Sequence, residues 1–166
     1  MPQELKLYGV LDLARAPQLY DDVQRLAPLE ARCLFLGEGR LHPEVVRHSP
    51  HLVELRPEDP LTARWRSQGW GQAWGIWLES HADFTAVWRR LRRFTQAKLP
   101  DGSGPVLFRF WDPRVFRTYL PLVEGRDLTS WFAEVEAYLV EADDGTGSLR
   151  YHLHGNSLTV RDGPHA

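Results

Sequence analysis

Few residues of this sequence combine the types and the spacing that enzyme chemistry requires. Asp112 and Arg114 follow the predicted strand 106–111, and a sheet edge at that point could present a carboxylate and a guanidinium group to a phosphate ligand. A phosphoryl or nucleotide hydrolase that uses these two residues and a histidine is therefore one hypothesis. However, Ser80-His81 lacks the G-x-S-x-G context of a nucleophile, and no triad is evident. We therefore predict no catalytic residues and expect that the chain is not an enzyme.

Two histidines have a spacing that can hold a metal ion. His152 and His154 lie at positions i and i+2 of a predicted strand, so their side chains point the same way. The spacing fixes no acidic or cysteine ligand beside them. We therefore predict no metal site and no cofactor.

The run Arg89-Arg90-Leu91-Arg92-Arg93 places four guanidinium groups on the solvent side of one predicted helix. Such a run is most often a solvated face, and otherwise it could meet an acidic patch on a partner or a phosphate backbone. The formal net charge of −2 and the pI near 6.4 argue against a dedicated nucleic-acid-binding protein, because such domains are usually strongly basic. We predict no nucleic-acid partner.

Four tryptophans, Trp65, Trp70, Trp74 and Trp77, lie close together in a glycine-rich stretch. Strand alternation puts Trp77 on the face opposite Trp74, and we expect Trp77 to pack in the core. For Trp70 and Trp74, next to a predicted glycine-rich turn, both a core position and an exposed anchor are open. We take these two residues as the preferred partner-binding tryptophans.

The length and composition indicate one globular domain over residues 1–166. The single cysteine, Cys33, excludes an internal disulfide framework and fits a reducing compartment. The N-terminus lacks the features of a cleaved signal peptide, and no stretch approaches the roughly 20 apolar residues that cross a bilayer. We therefore expect a cytoplasmic protein without a membrane partner.

Hydrophobic periodicity predicts a first βαβ unit. It consists of strand 5–11, helix 17–27 and strand 31–36, and strand 31–36 is apolar on both faces from Cys33 onward, as in the centre of a parallel sheet. A right-handed crossover is the expected connection.

The rest of the chain alternates strands and helices before a hairpin. Strands 134–141 and 149–154 flank the turn residues Asp143-Asp144-Gly145, which predicts an antiparallel pair. The fold class is therefore α/β, a mixed and mainly parallel sheet flanked by helices, with a C-terminal antiparallel β-hairpin. The intervening predicted elements are strand 51–55, helix 61–68, strand 73–79, helix 83–98, strand 106–111 and a helix that begins at Pro113.

The segment 106–114 predicts a strand that runs directly into a helix. Asp112 is a natural N-cap, and Pro113 occupies the first helical position, where its missing N–H has no cost. Arg114 lies near the positive end of the helix dipole, which favours a carboxylate partner. We predict a network in which Asp112 meets Arg109 or Arg114. This network either only fixes the corner between the strand and the helix, or it also forms an edge of a partner-binding surface.

The run Phe108-Arg109-Phe110-Trp111-Asp112-Pro113-Arg114-Val115 resembles the signature of the type VI secretion effector-adaptor proteins, often called Tap or TEC and long catalogued as a domain of unknown function. Residues 8–12 and residues 74–80 are similar to the opening and the middle of that family. The resemblance extends from about residue 5 to 125.

The resemblance implies a non-catalytic adaptor chaperone. Members of the family bind a specific effector toxin, help to load it onto a VgrG-type spike protein, and are not themselves delivered. The expected partners are therefore a cognate effector and the spike. We predict that the partner-binding residues are Trp70, Trp74, Arg109, Asp112 and Arg114, and that the structural residues of the signature are Phe108, Phe110, Trp111 and Pro113.

Overall fold

The computed structural model describes residues 2–35 and 41–164. The strands are β1 Lys6–Asp12, β2 Ala31–Cys33, β3 Pro50–Glu54, β4 Gly75–Ser80, β5 Gln96–Lys98, β6 Pro105–Leu107, β7 Ala137–Glu141, β8 Ser148–His154 and β9 Ser157–Asp162. The α-helices are α1 Tyr20–Gln24, α2 Pro43–Arg47, α3 Pro60–Arg64, α4 Phe84–Arg92, α5 Pro113–Tyr119 and α6 Gly125–Trp131. Short 3-10 segments extend α1, α4 and α5, and a π-helical turn, Trp65–Gly69, continues α3.

The main sheet has seven strands in the order β2-β3-β1-β4-β7-β8-β9, and every neighbouring pair is antiparallel. The prediction of a mainly parallel sheet is therefore wrong. β1 and β2 do run in the same direction, but β3 lies between them and pairs with both. The predicted βαβ unit is thus interrupted by a later strand. The predicted C-terminal hairpin is confirmed by the pairing of β7 with β8.

The physical reason for this error lies in the burial of the central strands. β1, β3 and β4 are buried on both faces, since helices cover both sides of the sheet. An antiparallel strand between two helical layers is as apolar as a strand of a parallel sheet, so its composition does not reveal its direction. The predicted strand 31–36 is shorter, with strand structure at Ala31–Cys33, and its last residue, Leu36, lies outside the described residues.

Side chains alternate between the two faces of the sheet along each strand, and each face packs into its own hydrophobic core. One face packs against α4, α5 and α6 in a cluster that includes Tyr8, Ile76 and Tyr138. The opposite face packs against α1, α3 and the π-helical turn in a cluster that includes Trp65 and Trp77. This division follows the period of two that side chains have along a strand.

The predicted strand 106–111 is only partly confirmed. β6 ends at Leu107 and pairs with β5 in a separate two-stranded sheet. Phe108 and Phe110 lie beyond that pairing, and their ring centroids are 6.5 and 5.4 Å from the Trp131 ring centroid. Trp111 packs edge-on against Phe110. Aromatic packing therefore takes precedence over strand propensity in this segment.

Candidate functional site

The turn into α5 brings the predicted corner residues together. We call residues 109–117, with Asp12 and Glu141, the signature corner. Asp112 Oδ1 accepts hydrogen bonds from the Arg114 backbone N–H at 3.0 Å and from Arg114 Nε at 2.9 Å, and Oδ2 accepts from Arg114 Nη2 at 2.7 Å. The predicted N-cap and the predicted pairing of Asp112 with Arg114 are confirmed.

Arg109 has a different partner. Its Nη2 donates to Asp12 Oδ2 at 2.8 Å, across 97 residues of sequence. The Asp12 side chain is 2% exposed and also accepts the Ala14 backbone N–H at 3.0 Å. The sequence indicated Asp12 only as part of the resemblance at residues 8–12, and no local pattern pairs it with Arg109.

Glu141 connects the signature corner to the loop 70–74, which we call the tryptophan-rich loop. Its buried carboxylate accepts the backbone N–H groups of Gly71 at 2.8 Å and Ala73 at 3.1 Å, and its carbonyl accepts Arg117 Nη1 at 2.6 Å. Ala73 has a φ of 56°, a conformation that costs free energy in a non-glycine residue. The carboxylate thus holds a strained turn against the end of β7. The sequence pattern did not identify Glu141 as a site residue, because residues 134–141 show only the alternation of a strand.

The two carboxylates of the corner differ in their electrostatics. Burial acts to raise the pKa of Asp112, but the hydrogen bonds from Arg114 and the charges of Arg114 and Arg109 outweigh it, and the pKa lies below its ordinary value. Burial raises the pKa of Glu141, although the two backbone N–H groups and Arg117 oppose the shift. Asp112 is therefore an ionised cap, and its oxygens are occupied by Arg114.

We predict that Asp112→Ala lowers the free energy of unfolding by about 1 kcal/mol at pH 7, because a helix cap is lost. The ion pair adds little, since the Arg114 side chain is 57% exposed. A carboxylate with a depressed pKa stabilises the fold above its ordinary value of 3.8, and this contribution is lost as the pH falls through the folded-state pKa. Urea unfolding at several pH values should therefore show the difference between variant and wild type shrinking below about pH 3.8. A difference that is constant with pH would contradict the ionised cap.

An apolar groove runs along α5 from the Asp112–Arg114 pair. Val115, Tyr119 and Leu122 line it together with Thr118. Leu122 is 77% exposed, and Tyr119 packs edge-on against Phe108 at 4.5 Å. We call these residues the signature groove. A large exposed apolar side chain next to an ordered charged pair has the composition of a protein-binding surface.

The tryptophan predictions have mixed outcomes. Trp77 is in the core as predicted. Trp74 is only 7% exposed and packs in the same core, so the possibility of an exposed anchor at Trp74 is wrong. The strand begins at Gly75, after Trp74, and the alternation that separated the two rings does not apply. Trp70 is half-buried, with Nε1 donating to the Gly147 carbonyl at 3.0 Å and its ring 5.1 Å from Trp77.

The residues predicted to be structural in the signature lie in or beside the hydrophobic core, as expected for aromatic side chains and proline. Phe110, Trp111 and Pro113 are buried, and Phe108 is half-buried against Tyr119. Within residues 2–35 and 41–164, no group of three or more His, Cys, Asp or Glu side chains is arranged to hold a metal ion. In the same part of the chain, no helix has the length and apolar content to cross a membrane.

A family model described as "Domain of unknown function (DUF4123)" matches residues 7–130. The match contains Asp12, the tryptophan-rich loop, α5 and the signature groove. Glu141 lies beyond it. No curated protein and no solved structure matches the chain.

Proposed function

The chain belongs to the DUF4123 family, and we propose that it is a non-catalytic adaptor that binds one type VI secretion effector and helps to load it onto a VgrG-type spike protein. The proposal starts from the resemblance of residues 108–115 to the effector-adaptor signature. The single observation that carries it is the position of the signature groove, which starts at the end of that signature and exposes Leu122 to solvent.

The groove has the features that protein recognition requires. Apolar side chains provide the contact area, and the Arg114 guanidinium, held by Asp112, provides a fixed polar group at one end. Because Asp112 already holds Arg114 in place, little side-chain entropy is lost when a partner binds. We assign Arg114 to direct contact and Asp112 to the positioning of Arg114.

The other predicted partner-binding residues take different roles in this proposal. The Arg109 side chain is 47% exposed and can contact a partner while Asp12 holds it. Trp70 is half-buried and keeps part of its ring accessible. Trp74 is buried, so it acts only through the loop that it supports. The cytoplasm, where an effector would be loaded, is the proposed location.

The hydrolase hypothesis finds less support at this corner. A general base or a phosphate-binding site would need a carboxylate with a free oxygen facing an open polar pocket. Both oxygens of Asp112 accept bonds from Arg114, and the adjacent groove is lined mostly by apolar side chains.

Members of the effector-adaptor family are encoded beside their effectors, so co-expression with an effector gene found next to this one tests the proposed function. We expect the wild-type chain to co-purify with the effector and to raise its solubility. Leu122→Asp should weaken this binding about tenfold or more, because a charge replaces an apolar contact in the groove. Binding can be measured by calorimetry on the purified proteins.

Leu29→Asp is the matched control, since Leu29 is 63% exposed and lies outside the groove. It introduces the same charge and should leave the affinity unchanged. If the wild-type chain neither co-purifies with the effector nor raises its solubility, the adaptor proposal fails. If both aspartate variants bind as tightly as the wild type, the adaptor role stands and the groove is not its binding surface.

A further inference from the structure

The end of α4 carries a cluster of cations that the signature groove does not use. We call Arg32, Arg89, Arg92 and Arg93 the arginine face. Arg89 and Arg93 are exposed and lie one helical turn apart, with Arg92 beside them. Among the described residues, no ion pair involves any of the four.

One buried indole holds two of these guanidinium groups in place. Arg32, from β2, lies 3.7 Å from the ring centroid of Trp88, and Arg92 lies 4.6 Å from it. Trp88 is itself fixed, because its Nε1 donates to the Cys33 carbonyl at 3.0 Å. Cation–π attraction therefore orders two positive groups on the same ring.

The helix alone does not explain this concentration of charge. Cations near the C-terminus of α4 interact favourably with its dipole, which accounts for Arg92. Arg32 comes from the strand β2, so the sequence of the helix does not account for its presence on the same ring. The segment 84–100 contains no Asp or Glu, although the whole chain has a net charge of −2. The positive charge is thus concentrated on four guanidinium groups that have no ion-pair partner among the described residues.

The arginine face is continuous with the proposed binding surface. Arg92, Arg93 and Leu107 line one depression. Leu107 is 56% exposed, and the next residue, Phe108, contacts Tyr119 of the signature groove. One extended partner could therefore contact both surfaces.

We propose that the arginine face binds an acidic segment of the effector, as a second contact beside the signature groove. This inference rests on the proposed function. Charge complementarity gives the segment its chemistry, since unpaired guanidinium groups favour carboxylates. A protein segment is favoured over a nucleic acid, because the remainder of the chain is acidic on balance and would repel a long phosphate backbone.

The test compares effector binding by the wild-type chain and by the double variant Arg89→Glu/Arg93→Glu. Both residues are exposed, so the fold should tolerate the change, and circular dichroism checks this. At low salt we expect the variant to bind about tenfold or more weakly, and at high salt the difference should shrink. The matched control is Arg126→Glu/Arg161→Glu, which makes the same charge change at exposed sites on α6 and β9. It should bind like the wild type.

Competition identifies the ligand chemistry. Excess polyglutamate should displace the effector from the wild-type chain and should have little effect on the residual binding of the variant. If the wild type and the Arg89→Glu/Arg93→Glu variant bind the effector equally, this inference is overturned and the adaptor role stands. Single-stranded DNA that binds the arginine face more tightly than polyglutamate would also overturn it. A wild-type chain that does not bind the effector overturns both proposals.

Discussion

Replacing Trp131 by alanine is expected to lower the free energy of unfolding by about 3–5 kcal/mol, the largest single-residue effect that we predict. Trp131 is buried at the end of α6 and stacks on Phe94 at a centroid distance of 3.8 Å. Its ring also touches aromatic side chains from the signature, from α5 and from β7. Removing it opens a cavity among rigid rings that cannot collapse into the space.

Urea unfolding followed by circular dichroism measures this effect, and Trp70→Ala is the matched control. The Trp70→Ala substitution removes the same atoms, but Trp70 is half-buried, and its ring packs edge-on against Trp77 while its Nε1 donates to the Gly147 carbonyl. We expect its loss to cost about 1–2 kcal/mol. Equal destabilisation by the two substitutions would show that the Trp131 cluster is not the main determinant of this core.

The second large effect is expected at Gly75. This residue has a φ of 152° and pairs with Leu11 across the β1–β4 ladder. A Cβ atom added there would lie 1.9 Å from the carbonyl oxygen of Val10, so the two strands would have to separate. We predict that Gly75→Ala destabilises the protein by about 3 kcal/mol or more, through overpacking and backbone strain together.

Gly102→Ala is the control for a glycine with a positive φ and no clash. Gly102 also has a positive φ, of 74°, but a Cβ atom there would meet nothing within 4 Å. Its expected cost is about 1 kcal/mol, from the backbone conformation alone. Thermal and urea unfolding of both variants would show how much more the substitution costs at the crowded position. The prediction is wrong if Gly75→Ala is no less stable than Gly102→Ala.

Short sequence patterns correctly predicted the parts of the structure that depend on residues adjacent in sequence. Asp112 and Pro113 together identify a helix start, since one supplies the cap and the other needs no N–H partner. Asp143-Asp144-Gly145 identifies the turn between β7 and β8, where Gly145 has a φ of 74°.

Contacts between distant residues were not predictable in the same way. Arg109 reaches Asp12 because the neighbouring ring of Phe108 packs near Trp131 and so fixes the course of this segment. The spacing of residues in the sequence does not predict that course. The strand order has the same origin, because β3 reaches its place between β1 and β2 only through long-range pairing. The burial of Trp74 depends on the strained turn at Ala73, which is 68 residues away in sequence from Glu141, the residue of the neighbouring strand β7 that stabilises it.

The place of β7 in the sheet has a practical consequence for work on this family. The family match ends at residue 130, yet β7 pairs with β4 and is followed by β8 and β9 in the same sheet. A fragment trimmed to the matched region would leave the hydrogen-bonding groups of β4 open along one side and would lack Trp131 and Tyr138, two rings of the aromatic core cluster. Such a fragment is expected to associate with itself through that strand. Residue 130 is therefore unsuitable as a boundary for expressing this chain, whose main sheet continues through β7 and β8 to β9.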